Sequence, residues 1–146
     1  MNNLFRNLMR VSNPDWEYKW KITLPADLVV EVDLDCRAVF ENEWFRIEPL
    51  DPGKTRMTCK KGYSWDGCSV VPDAPGTERA SCIHDELYQW AAPIANAWGC
   101  TVNTVLYWAN HAFLQVMRQD KSPVAGLYYA GVQVFGPLYH TIAGWF

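Results

Sequence analysis

Between Asp66 and Asp85 the chain concentrates residue types that move protons or hold hard cations. Asp66, Cys68, Asp73, His84 and Asp85 fall in one window, WDGCSVVPDAPGTERASCIHDELYQW, with glycines and prolines between them. A neutral imidazole activates water as a general base when another group fixes its tautomer, which makes His84 the candidate base. On a helix the adjacent His84 and Asp85 project about 100° apart, so they flank one cleft and cannot serve as each other's partner. The polar pair Asn110-His111, which interrupts the apolar stripe of the next helical segment, supplies a candidate orienter. Asn110 would hold the imidazole without balancing its charge. The carboxylates of Asp66 and Asp85, with Gly67 letting a backbone carbonyl turn inward, describe an oxygen site for calcium, and Asp73 is a further donor. His84, Asp85 and Asn110 are thus the candidate catalytic residues, and Asp66, Gly67 and Asp85 the candidate metal ligands. The same residues also have a purely structural reading. In it Asp66 and Asp73 shape turns, Asp85 is a solvated helix residue and His84 is hydrogen-bonded and packed on a sheet.

The elements that must position these groups change character along the chain. Residues 1–65 read as strands: WEYKWKITL, DLVVEVDL and WFRIEPL are short, partly alternating and rich in aromatic and β-branched residues. In the turn DPGK, Asp51–Lys54, Pro52 presets φ and Gly53 tolerates positive φ, linking a strand that ends near Leu50 to TRMTCKKGY. Residues 66–77 read as a loop and residues 78–146 as helices. One helix is expected from Glu78 to Trp90, where Pro93 forbids a simple continuation. A second starts at the N-cap Thr101 and carries Val102, Val105, Leu106, Ala109, Phe113, Val116 and Met117 on one stripe. A third opens at Ser122-Pro123 and is interrupted at Gly136-Pro137. The expected fold is α+β in a single domain, a small N-terminal antiparallel sheet followed by a bundle of about three helices.

With 146 residues the chain is long enough for one core, and the spacing contains no repeat. A net charge of −3 excludes a sequence-independent grip on nucleic acid. From Leu87 to Phe146 only Arg118, Asp120 and Lys121 carry full charge, so this half must bury its surface in a core or against a partner. Its apolar run from Ser122 is diluted by Gln133, His140, Thr141 and Pro137, which argues against an integral membrane span. The start MNNLFRNLMRV lacks the h-region and cleavage site of a secretory signal peptide. Five cysteines without a CxxC pair suit a reduced intracellular chain. No phosphate loop, dinucleotide fingerprint, zinc knuckle or GxSxG elbow is present.

KGYSWDGCS, ASCIHDELYQ, WANHAFLQVM and AGLYYAGVQVFG, in that order, resemble an uncharacterised family of small proteins carried by tailed bacteriophages and prophages. The resemblance spans residues 61–136 and matches Gly62, Tyr63, Asp66, Gly67, Ser69, His84, Asp85, Leu87, Tyr88, Ala109, Phe113, Phe135 and Gly136. It departs at Asn110, where that family usually has an acid. Over Asp66–Tyr88 the chain is also similar to the small calcium-dependent phospholipases of bacteria and fungi. That similarity implies His84 as the base for a water, Asp85 and the Asp66 loop as calcium ligands, position 110 as the orienter of His84, and a pairing of Cys68 with Cys82. Two expectations result. One is a bacteriophage structural or assembly protein, a virion component on a phospholipase-like His-Asp scaffold, whose partners are other phage proteins or further copies of itself. The alternative is a calcium-assisted hydrolase of phospholipid or other ester bonds. Either would act in the host cytoplasm during assembly, and the first would continue into the virion.

Overall fold

The computed structural model describes residues 22–65 and 76–143. Of the expected first strand, only β1, Ile22–Thr23, lies among them. It is followed by β2 (Leu28–Val32), β3 (Phe40–Glu41), β4 (Phe45–Pro49), β5 (Thr55–Cys59) and β6 (Ser64–Trp65). Four helices follow among the described residues: α1 (Glu78–Gln89), α2 (Ala91–Trp98), α3 (Val102–Gln119) and α4 (Ala125–Ala143). The chain is therefore α+β, strands before helices.

The main sheet is antiparallel with the order β2-β5-β4-β3. Alternation sorts its two faces. Val30, Met57 and Ile47 stand in one row across three strands, and Phe45 and Cys59 in the next, all buried. The opposite face carries Glu31, Arg56, Glu48, Arg46 and Glu41 in a ladder of part-exposed ion pairs, among them Arg56–Glu31 at 3.0 Å and Arg46–Glu48 at 2.8 Å. Such pairs add little stability but keep that face wet. The DPGK turn forms as its residues require, with Gly53 at φ +80° and Lys54 N–H donating to the Asp51 carbonyl at 2.9 Å. β1 and β6 form a separate two-stranded ribbon. The ribbon is tied to α1 by Trp65 Nε1–H, which donates to Ser81 Oγ at 3.0 Å.

The helical half departs from expectation in three places. Pro93 does end the first helix, but Ala91–Trp98 forms a short helix of its own, because Pro93 sits in its first turn, where no intrahelical N–H is needed. Gly136-Pro137 does not interrupt the last helix: α4 runs through Pro137 to Ala143. A proline there removes one backbone bond and costs about 3 kcal/mol in isolation. Packing on both sides of it, Val132 before and His140 after, both buried, holds the helix together. α4 also opens at Ala125, two residues beyond the expected Pro123. The N-cap of α3 is as expected, with Thr101 Oγ1 accepting from Thr104 N–H at 3.2 Å. The anticipated α3 stripe is the buried face of that helix, from Val105 and Leu106 to Val116 and Met117.

Candidate functional site

α1 is a wedge with two buried faces, and the 3.6-residue period decides which side chain goes where. His84 and Tyr88, one turn apart, face α3 and α4. Cys82 and Glu86, also one turn apart, are buried on the other side with Asp85 and Gln89 beside them. The contacts Arg79–Asp120 (2.7 Å) and His84–Asn110 (2.8 Å) pair rising numbers on α1 with falling numbers on α3, so the two helices run antiparallel.

On the first face the polar atoms form a closed network. Asn110 Oδ1 accepts from Tyr88 Oη–H at 2.8 Å and lies 2.8 Å from His84 Nε2. An amide oxygen only accepts, so the imidazole proton is on Nε2 and Nδ1 keeps the lone pair. Asn110 Nδ2 donates to Gln133 Oε1 at 2.7 Å and approaches the Val132 carbonyl at 3.5 Å. Gln133 Nε2 then donates to Tyr129 Oη at 2.8 Å. Both lone pairs and both N–H groups of Asn110 are thereby used, in contacts to α1 and to α4. The His84 ring lies against Tyr88 (centroids 4.1 Å) and Phe113 (4.9 Å). Burial pushes the His84 pKa down to about 4, against the opposing pull of the Asn110 hydrogen bond. An imidazole so desolvated, with a neutral amide for a partner, has no opposite charge beside it to offset the burial of its cation. Burial likewise raises the Tyr88 hydroxyl pKa. α4 reaches this close only because residue 136 is glycine: a Cβ there would collide with the Tyr88 hydroxyl and stand 3.0 Å from Cζ.

On the other face, Tyr63, presented by the start of the β6 arm, donates its hydroxyl to Asp85 Oδ2, with Gln89 Oε1 3.0 Å away. Burial first, and then the negative charge of Asp85, raise the Tyr63 pKa. Beside it Glu86 is fully buried. Its Oε2 accepts from Trp90 Nε1–H at 3.1 Å, and its Oε1 has no hydrogen-bond partner among the described residues. Burial, reinforced by Asp85, pushes Glu86 up to about 9, so it is a neutral acid at pH 7.

No family model, curated protein or solved structure matches this chain.

The candidate site residues therefore separate. His84 and Asn110 meet as the spacing suggests, and Asn110 takes the orienting place. Asp85 is turned toward Tyr63 and the ribbon, about a third of a turn round the helix from His84. Asp66, Gly67, Asp73 and Cys68 lie outside the described residues, as does the tail beyond Ala143. Among the described residues no group of three or more His, Cys, Asp or Glu side chains is placed to hold a metal ion. His111, the other half of the Asn110-His111 interruption, lies against Tyr129 at 5.6 Å, on the exposed side of α3. The residues the sequence reading missed are Tyr63, Glu86, Tyr88 and Gln133. Tyr88 was findable, since it stands one turn from His84. Gln133 was not, because nothing local to α4 says which of its faces meets α3.

Proposed function

We propose that the protein is a bacteriophage structural or assembly component, built on a phospholipase-like scaffold whose His-Asp helix serves as framework. The observation that carries this reading is Asn110. Its amide donates to Gln133 and toward the Val132 carbonyl, two acceptors that an ionised carboxylate could not serve, while its oxygen holds His84 and Tyr88. The network is matched to an amide, and it clasps α1, α3 and α4 together. A second feature favours a binding role. Leu127, Val134, Phe135 and Leu138 recur along one side of α4, opposite its buried Tyr128, Val132 and His140, and are 55–71% exposed. No charged residue lies on α4, so this face offers apolar contact without charge selection, as the core of a subunit interface does. Among the described residues no helix is long and apolar enough to cross a membrane. The occupant we assign to the stripe is a second copy of the chain, like surface against like.

The hydrolase remains the second reading, because Asn110 fixes the Nε2–H tautomer and leaves the His84 Nδ1 lone pair as the basic site. Acyl release from mixed phospholipid vesicles separates the two. The assembly reading expects no release with calcium or with chelator, from the native protein or from His84→Gln. Calcium-dependent release that His84→Gln abolishes would overturn it in favour of the hydrolase. Sedimentation of the native protein beside Phe135→Asp tests the occupant: association lost in the variant is expected, and a native monomer at tens of micromolar rules self-association out.

A further inference from the structure

α3 reaches past the core to the outer edge of the main sheet. In the order β2-β5-β4-β3 the edge strands are β2 and β3. β3 is two residues long, too short to template a further strand, whereas β2 has five, and their sequence LVVEV contains neither lysine nor proline. An edge of that length and composition pairs with a foreign strand unless something covers it. What covers this one is a pair of glutamines one turn apart on α3. Asp33, the first residue past β2, donates its N–H to Gln115 Oε1 at 2.7 Å, and Gln115 Nε2 donates back to the Asp33 carbonyl at 3.2 Å. Exchanging both bonds with one residue is what a partner residue does in an antiparallel ladder. Gln119 Nε2 then donates to the Glu31 carbonyl at 2.7 Å. Alternate residues of a strand turn their N–H and C=O to the same side, so the backbone of Val29 faces outward with those of Glu31 and Asp33. Among the described residues no hydrogen bond reaches Val29 on that side, and the residue is 50% exposed.

We propose that Gln115 and Gln119 form an edge clamp, their amides standing where the peptide groups of a neighbouring strand would stand, which keeps β2 from pairing edge to edge with β2 of a second copy. Two β2 edges related by a two-fold axis present the same outward groups to each other, so the pairing that the clamp denies is self-complementary. All three clamp bonds are solvent-exposed, so removing them leaves the buried stripe of α3 in place. The clamp acts on a different surface from the α4 stripe, and Phe135→Asp leaves it intact. Its effect is to hold self-association to the helical side of the molecule, away from the open-ended strand addition that an uncovered edge invites.

The test takes the clamp away and asks whether the edge pairs. The full chain carrying Gln115→Ala and Gln119→Ala is compared with the native protein by sedimentation over a range of concentrations and by infrared spectroscopy for intermolecular strands. The expected result is association beyond that of the native protein, carrying the intermolecular-strand signal and kept when Phe135→Asp is added. Val29→Pro should reverse it, because the Val29 N–H faces outward and its loss removes no bond to β5. Val29→Lys, a charge on the same edge, should do the same without the backbone change. A folded double variant that melts lower but keeps the native association state overturns the proposal, since a plain tie between helix and sheet predicts only that. Association that neither Val29 variant reverses overturns it too. Amide exchange in the native chain decides even if the double variant does not fold: Asp33 should exchange about tenfold more slowly than Val29, and equal rates refute the clamp.

Discussion

Gly136→Ala sets two physical rules against each other. Within a helix, alanine is favoured over glycine by about 1 kcal/mol, because glycine loses more backbone freedom on folding. If α4 were a free-standing helix, the change would stabilise the protein. Residue 136 instead faces Tyr88. A Cβ there would collide with the Tyr88 hydroxyl and lie 3.0 Å from Cζ and 3.1 Å from Cε2. The ring has little room to yield: Tyr88 is 1% exposed, packs tilted against His84 with ring centroids 4.1 Å apart and donates to Asn110 at 2.8 Å. Overpacking of this kind costs about 1–3 kcal/mol, and displacing the hydroxyl from Asn110 adds about 1 kcal/mol. After the propensity gain is subtracted, Gly136→Ala should destabilise by about 1–3 kcal/mol. Gly126, near the start of the same helix, has nothing within 4 Å of where a Cβ would be. Gly126→Ala should therefore stabilise by about 0.5–1 kcal/mol. Guanidinium unfolding followed by tryptophan fluorescence, with unchanged m-values, reads both. A Gly136→Ala protein as stable as the native one would refute the close approach of α4 to Tyr88, and with it the three-helix clasp.

Two further predictions concern pH and pull in opposite directions. His84 has a folded pKa of about 4 against an ordinary value of 6.5, so the unfolded chain binds the extra proton, and stability falls as pH drops from about 6.5 toward 4. The loss should approach about 3 kcal/mol, be largely absent in His84→Gln, and coincide with an imidazole NMR titration near pH 4. Glu86 has a folded pKa of about 9 against 4.5, so here the folded state binds the extra proton, and stability is lost as pH rises from about 4.5 toward 9. Glu86→Gln should remove that slope, gaining little at pH 5 and on the order of 3 kcal/mol at pH 7. An equal gain at both values would mean that Glu86 is ionised in the folded protein.

The residues themselves announced much of this architecture. Alternation over LVVEV, FRIEP and TRMTC, with DPGK between the last two, determines strands that bury one face and wet the other. The cap at Thr101 and the stripe from Val105 to Met117 likewise determine α3 and its inward side. Those signals are local, set by one residue's φ or by a period of two or 3.6. The polar interruption at Asn110 in that stripe was legible as a meeting point for His84, since a buried amide needs partners and α1 is its neighbour.

What only the tertiary structure decided depends on groups far apart in the chain. A proline inside α4 is a local stop signal, and contacts on either side of it overrode that signal. The helix period already turns Asp85 away from His84, but only packing shows that α3 meets the one and Tyr63 the other. The neutral Glu86 and the fit of Gly136 against Tyr88 arise where a strand or a second helix arrives at α1. Sequence spacing fixes which residues share a helix face; what that face meets, and so whether its acids stay charged and its histidine stays neutral, is set by packing.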